Sequence, residues 1–273
     1  MSGNRGDTMN TELPKVAGLF DLSGKSALVT GATGSLGSMA AKALSAAGAA
    51  VTLSGGNLEK LEEMAGIIRN AGGKAHVINR RPDSEENVDA IVQTALDNEG
   101  GLDILFVASG FNKAGGVFDT ALSDFDAVHD ANVRQTWLIC KKAGEVMIDQ
   151  GRGGKIVVTS SVRGVVAADN GTAYCSSKAA TDMLTKCFAT EYGSKGITVN
   201  AIAPTVFRSP LTAWLYDEEG RGAEVRANVL KRIPLGRLGE PEDFVVAIIF
   251  CSSSASDFMT GHTMYVDGGF VID

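Results

Sequence analysis

The sequence predicts an α/β protein built on one parallel sheet with helices on both faces, and three observations lead there. Short apolar runs of strand length alternate with amphipathic runs of helix length from Ser26 to Tyr192. A strand, a glycine turn and a helix follow one another at the first of these alternations, around Thr30 to Ser35. Glycine is abundant, 33 of 273 residues, while proline numbers only 6; many strand-to-helix turns that need positive φ or close backbone approach give that balance. The length suits one large domain, residues 18–273, behind a loose polar tail, residues 1–17.

Taken in order, Ser26–Thr30 (S-A-L-V-T) reads as a buried strand, and Gly31-Ala32-Thr33-Gly34-Ser35-Leu36-Gly37 leads into an Ala-rich helix ending near Ala47. Glycines there let the backbone approach a pyrophosphate, whose charge the free N–H groups of the helix start would meet. Ala50–Ser54 is the next strand. Leu58–Asn70 is a helix with Leu58, Leu61, Met64 and Ile68 on one stripe. A strand at 74–78, a helix at 85–98, a strand at 103–107, one long helix at 123–149 and a strand at Gly154–Thr159 continue the alternation. A long amphipathic helix, Thr172–Tyr192, comes next, and an irregular stretch between Pro204 and Pro241 holds one helical run at 224–230. Repeated βα units of this length specify a parallel sheet whose ligands gather at the C-terminal strand ends.

With 25 basic and 32 acidic residues the formal charge is −7, a balance that argues against a nucleic-acid or anionic-membrane partner. Cys140, Cys175, Cys187 and Cys251 are scattered, without C-x-x-C spacing or neighbouring histidines, so no zinc site, redox pair or other metal site is expected. No apolar run reaches about 18 residues and no signal pattern opens the chain; a cytoplasmic protein with free thiols is the expectation. His76, His129 and His262 are isolated.

Tyr174 and Lys178 stand four apart in the helix Thr172–Tyr192 and therefore share a face. An ammonium ~4 Å from a phenol oxygen, at an effective dielectric of about 20, would favour the phenolate by roughly 4 kcal/mol and lower its pKa by up to about 3. Such a phenol can exchange a proton with an alcohol or carbonyl; an ordinary solvated helix face is the alternative. Ser160-Ser161 directly follow the strand Gly154–Thr159, and Ser161 precedes Tyr174 by thirteen residues.

In order and spacing, Gly31, Gly37, Asn132, Ser161, Tyr174 and Lys178, with Asn200-Ala201-Ile202-Ala203-Pro204 and Val266-Asp267-Gly268-Gly269, resemble the short-chain dehydrogenase/reductase family over roughly residues 19–270. The resemblance implies a Rossmann-type doubly wound sheet of about seven strands and hydride transfer between NAD or NADP and a secondary alcohol or ketone. Tyr174 would be the acid/base, and Lys178 would lower its pKa and hold the nicotinamide ribose. Ser161 would hydrogen-bond the reacting oxygen, and Asn132 would hold a water in the proton relay. The dinucleotide phosphates would lie against Gly31, Thr33, Ser35, Leu36 and Gly37. Its adenosine would meet Gly56, Asn57, Arg81 and Pro82, and the nicotinamide half would meet Ser109, Gly110, Tyr174, Lys178, Pro204, Val206 and Ser209. Residues 205–240 would form a substrate lid. Family members pair the helices 123–149 and 172–192, so a homotetramer is expected, with Val133, Trp137, Cys140 and Phe270-Val271-Ile272 as apolar residues beyond one core's need.

The dinucleotide half departs from the family pattern. Ser35 stands where a middle glycine is usual, directly after Gly34. Gly55 and Gly56 stand where an Asp for NAD, or an Arg one residue later for NADP, would be expected. Arg81-Pro82, preceded by Arg80, replaces an Asp-Val pair that reads adenine, and Val107-Ala108-Ser109-Gly110 replaces Asn-Asn-Ala-Gly. Either the arginines recognise the nucleotide, by stacking on adenine or pairing with a 2′-phosphate, or they are solvated loop residues. The choice between NAD and NADP stays open.

On the substrate side, Leu19-Phe20-Asp21-Leu22-Ser23-Gly24-Lys25 resembles the opening of members acting on sugar acids such as gluconate. Lys113, Arg163, Arg208 and Trp214 surround the expected pocket, and a cation in a low-dielectric cleft suits a carboxylate. Asp217, Glu218, Glu219, Arg221 and Glu224 break the lid's apolar run. A small polar hydroxy or keto compound, a sugar or sugar acid, is the expected partner. A 3-oxoacyl-type reductase of the same family and a dinucleotide-binding protein without catalysis are the alternatives.

Overall fold

The computed structural model describes residues 15–209, 212–217 and 219–272. Of the expected tail, residues 1–14 lie outside the described residues, as does Glu218 of the lid. Ahead of the tail's expected end, Val16–Phe20 already forms a 3₁₀ turn, pinned where Ser254 Oγ donates to the Leu19 carbonyl at 3.0 Å.

Seven strands form one sheet: β1 (Ser26–Thr30), β2 (Ala50–Ser54), β3 (Ala75–Ile78), β4 (Ile104–Val107), β5 (Gly154–Thr159), β6 (Ile197–Pro204) and β7 (Thr263–Val266). Every pairing is parallel, and the spatial order is β3-β2-β1-β4-β5-β6-β7. The helices are α1 (Ser35–Ala46), α2 (Leu58–Asn70), α3 (Glu85–Glu99), α4 (Leu122–His129), α5 (Gln135–Gln150), α6 (Thr172–Tyr192), α7 (Arg221–Leu230) and α8 (Pro241–Ser252). Successive strand side chains point to opposite faces, and both faces are covered. Ala27, Val29, Ile104 and Phe106 join Leu44 of α1, Leu61 of α2 and Phe244 of α8 in one apolar cluster. Leu28, Leu105 and Val107 join Ile91 of α3, Ile139 of α5 and Phe188 of α6 in the other. A strand buried on both sides must be apolar throughout, which is why the central strands read as unbroken runs. Each such Leu, Ile or Phe contributes roughly 1.5–3 kcal/mol.

The structure differs from the sequence reading in two places. The helix expected over 123–149 is α4 and α5 joined by a π turn, Asp130–Arg134, in which the Gln135 amide donates to the Asp130 carbonyl five residues back. The extra residue per turn carries Asn132 inward. The other place is the C-terminal third, where β6, α8 and β7 lack a helix-strand rhythm legible in sequence. α8 packs beside α1 over β5, β6 and β7 and is apolar almost all round. Its start is marked only by Pro241 in the first turn and the reciprocal Glu240–Asp243 capping box.

The chain leaves β1 towards β2 on one side and returns to pair β4 on the other, so the crevice beyond β1 and β4 is the switch point of the sheet. Backbone fills that crevice closely. Gly31 has φ +64°, and a Cβ on it would lie 2.6 Å from the Ser109 amide nitrogen; a Cβ on Gly37 would run into the Gly31 carbonyl oxygen. Gly37→Ala is therefore expected to cost about 1–3 kcal/mol in urea unfolding. Gly66→Ala, inside α2 with nothing within 4 Å, is expected to be neutral or to stabilise by up to about 1 kcal/mol; equal effects of the two would refute this account of the turn.

Candidate active site

Four segments meet beyond the C-terminal ends of β4 and β5. Ser160 is held to β6 by its amide, which donates to the Ile202 carbonyl at 2.8 Å, and Ser161 then caps a 3₁₀ turn, Val162–Gly164, accepting from the Arg163 amide at 3.2 Å. Tyr174 lies in the first turn of α6, half-buried, and Lys178 lies one turn further in, buried. The Lys178 Nζ donates to the Thr159 carbonyl at 2.8 Å and sits 5.8 Å from the Tyr174 ring centroid. The π turn supplies the fourth contact. Asn132 donates through Nδ2 to the Phe111 carbonyl (2.9 Å) and to Ser177 Oγ (2.9 Å), and accepts at Oδ1 from the Phe111 amide (2.8 Å). Ser177 Oγ in turn donates to the Tyr174 carbonyl at 2.7 Å.

Both amide hydrogens of Asn132 are thus used on protein partners, while Oδ1 and the backbone carbonyl, which accepts from Thr181 Oγ1 at 3.3 Å, each retain a lone pair for the expected water. The side chain also fixes the loop after β4. Gly110 of that loop passes so close that a Cβ would lie 3.1 Å from Asn132 Oδ1 and 3.8 Å from Lys178 Nζ.

The electrostatics correct one expectation. The Tyr174 pKa is raised here rather than lowered. Burial raises it, and the Ser161 hydroxyl and the Arg163 charge pull the other way. Burial also pushes Lys178 down from its ordinary 10.5 to about 8, against the attraction of Asp182. The Lys178 ammonium donates to the Thr159 carbonyl, and desolvation is the largest influence on its own pKa. Asp182, four residues past Lys178 on the same helix face, was not singled out in the sequence, although that spacing is its signal. It is buried, accepts from Thr263 Oγ1 at 3.1 Å, and burial raises its pKa.

The other proposed positions fall as follows. Thr33, Ser35, Leu36 and Gly37 surround the start of α1, which has neither a side-chain cap nor an acidic residue in its first turn. Ser109 Oγ lies 3.1 Å from Thr30 Oγ1, joining the glycine turn to the β4 loop. Gly56 is exposed and covered by the Arg81 guanidinium, Asn57 uses its side chain to cap α2 (3.0 Å to the Lys60 amide), and Pro82 is buried. Pro204 ends β6, the Val206 carbonyl accepts from the Gly239 amide at 3.0 Å, and Ser209 Oγ lies 3.0 Å from Thr212 Oγ1.

Two of the expected substrate cations are already neutralised. Lys113 pairs with Asp124 at 2.9 Å, and Arg208 pairs with Glu240 at 3.0 Å while stacking 3.8 Å from the Tyr216 ring. Arg163 is different: its Nη1 donates to the Ala167 carbonyl at 2.8 Å and it lies over Phe270, with no carboxylate partner among the described residues. Trp214 is about half exposed, in the 3₁₀ turn Ala213–Tyr216. Among the described residues no three His, Cys, Asp or Glu side chains are grouped to hold a metal, and no helix is long and apolar enough to cross a membrane.

A helix start without its own cap, reached through glycines that leave room for no Cβ, stands at the sheet's switch point, an arrangement whose free N–H groups suit an anion such as a diphosphate. Fold and cleft together define a dinucleotide-binding α/β protein. The family model described as enoyl-(acyl carrier protein) reductase matches residues 31–271. An uncharacterized oxidoreductase of Mycobacterium tuberculosis is 50% identical over 253 residues, covering 92% of this chain and 93% of that protein. The 3beta-hydroxysteroid dehydrogenase 1 of Eggerthella lenta is 33% identical, covering 92% and 95%. The structure of a gluconate 5-dehydrogenase from Burkholderia cenocepacia, in complex with NADP and tartrate, superposes with a TM-score of 0.88 at 30% identity, covering 94% and 99%. This chain belongs to the short-chain dehydrogenase/reductase family and is an NAD(P)-dependent oxidoreductase.

The buried lysine has a consequence for stability. Below about pH 8 Lys178 is protonated in both the folded and unfolded chain, and the fold carries the full cost of burying the ammonium. Between about 8 and 10.5 only the folded state releases the proton, so stability rises with pH through that window. The full gain is on the order of 3 kcal/mol. Urea unfolding at pH 7 and 9.5 is expected to show part of this rise in the unaltered protein and to lose it in Lys178→Met; an equal rise in both would refute the burial account.

Proposed function

We propose that Tyr174 is the acid/base for hydride transfer between NAD(P) and the carbinol or carbonyl carbon of a small polar substrate, a sugar or sugar acid. The observation that carries the reading is the convergence of Tyr174, Ser161 and Lys178 beyond β5, with Ser161 fixed by its turn and Lys178 by the Thr159 carbonyl. The nicotinamide ring, when bound, supplies or accepts the hydride. Ser161 Oγ and the Tyr174 hydroxyl hold the reacting oxygen; in reduction the phenol gives its proton to that oxygen, and in oxidation the phenolate takes it. A phenol raised by burial keeps its proton until negative charge develops on the substrate oxygen. Lys178 then supplies compensating charge to the phenolate, and Asn132 keeps the β4 loop and Ser177 in register with Tyr174.

For the substrate, Arg163 is the supporting residue, since its charge acts on Tyr174 and it has no carboxylate partner among the described residues. The gluconate 5-dehydrogenase relative favours the same reading, and the hydroxysteroid dehydrogenase relative supports a steroid as the second one. Tyr174→Phe is expected to cut turnover at least about 10²-fold with the fold intact. Arg163→Gln is expected to raise KM for an aldonate ten- to a hundredfold, about 1.5–3 kcal/mol, and to leave a neutral sugar unaffected. Full activity of Tyr174→Phe would refute the assignment. In a screen of aldonates, aldoses, polyols, a steroid and an acyl thioester, turnover confined to the last two would refute the substrate class.

The chain is further proposed to act as a homotetramer through α5 and α6. Cys140 and Phe270, expected to serve that contact, are buried in the chain's own core, whereas Trp137, Met183 and Ile272 remain exposed. Sedimentation at micromolar concentration is expected to give four times the chain mass, reduced by Trp137→Glu; a monomeric mass for the unaltered protein would refute it.

A further inference from the structure

We infer that Arg81, seated on Gly56, makes this chain selective for the dinucleotide that carries a 2′-phosphate, NADP over NAD; the inference rests on the oxidoreductase reading of the same cleft. At the end of β2 the chain has Gly55 and Gly56, so no carboxylate is present to accept from free ribose hydroxyls or to repel a phosphate. The space a side chain would take at position 56 is filled by Arg81. A Cβ there would collide with Arg81 Nε and lie 2.9 Å from Nη2 and 3.0 Å from Cζ. The guanidinium therefore lies across the backbone at the strand end, where an adenosine ribose in a switch-point site is read.

Its neighbours show that this charge is available. Arg80, one residue earlier, donates to Asn87 Oδ1 and pairs with Glu86 at 3.7 Å. Asp83 accepts from Asn87 Nδ2 at 2.6 Å, and its carbonyl from Arg134 Nη2 at 3.1 Å. Arg81 has no hydrogen bond or ion pair among the described residues. Across the crevice, Thr33 Oγ1 lies 3.6 Å from where a Gly55 Cβ would be, so a hydroxyl donor faces the same strand end. An unpaired guanidinium and a hydroxyl around a glycine pair form a donor set that matches a phosphomonoester dianion and offers a ribose hydroxyl no acceptor. Of the two arginines left open by sequence, Arg81 takes the phosphate role and Arg80 is a paired loop residue.

The test uses calorimetric binding of NADPH and NADH, and of 2′,5′-ADP and 5′-AMP, which differ only at the phosphate and need no turnover. The unaltered protein is expected to bind 2′,5′-ADP ten- to a hundredfold more tightly than 5′-AMP, with the ratio falling as salt is raised. Arg81→Gln should collapse that ratio towards one by weakening 2′,5′-ADP far more than 5′-AMP, with the melting profile unchanged. Gly56→Asp, which displaces the guanidinium and adds a carboxylate, should shift preference towards NADH. Equal binding of the two probes by the unaltered protein would overturn the inference, as would Arg81→Gln weakening both equally, the mark of a stacking contact alone. Tight NADH binding with turnover would overturn the preference and leave the oxidoreductase reading standing, whereas binding of neither cofactor would overturn both.

Discussion

The hydrogen bond from Lys178 Nζ to the carbonyl at the end of β5 is the interaction on which the cleft depends. A strand end and a helix come from segments nineteen residues apart, and nothing in either alone fixes the distance between Ser161 and Tyr174. Anchoring the ammonium on Thr159 does. Burying that charge has a cost, visible as the fall of its pKa to about 8, and the cost is offset by the carbonyl and by Asp182 one turn further along α6. Asp182 also lies beneath Gly164, where a Cβ would collide with its Oδ2. The turn carrying Ser161 and the helix carrying Tyr174 are therefore packed against one another through a polar layer.

A second polar contact extends the same frame to the cofactor side. The π turn directs Asn132 inward, where its amide bridges the backbone of Phe111 and the hydroxyl of Ser177. Gly110 lies between Asn132 and Lys178, and Ser109 packs on Gly31. The phosphate turn, the β4 loop and the α6 pair are thus linked by direct contacts, most of them involving backbone. Glycine at these positions reflects that crowding. Displacing any one segment would move the others, because interiors packed this closely have no slack.

The fold was legible because its signal is local and repeated. Alternating apolar runs and the β1 turn specify a parallel sheet whatever the loops do, and the β1 to β5 half was readable from periodicity alone. The C-terminal third was not, since α8 is apolar on nearly every side and so carries little helical stripe. The break at Asp130–Arg134 was equally silent: a π turn depends on what its inward side chain meets, and Phe111 and Ser177 are 21 and 45 residues from Asn132.

The sequence by itself determined the βα order, the glycine turn and the four-residue spacing that sets Tyr174 and Lys178 on one helix face, because these follow from covalent geometry and the 3.6-residue period. Only the tertiary structure decided which charges are available. Lys113 met Asp124 and Arg208 met Glu240, while Arg163 and Arg81 met no carboxylate among the described residues. It also decided the direction of the tyrosine pKa, which spacing suggested would fall and burial raises. Both outcomes depend on desolvation and on partners remote in sequence, and a charge's surroundings are a property of the packed molecule.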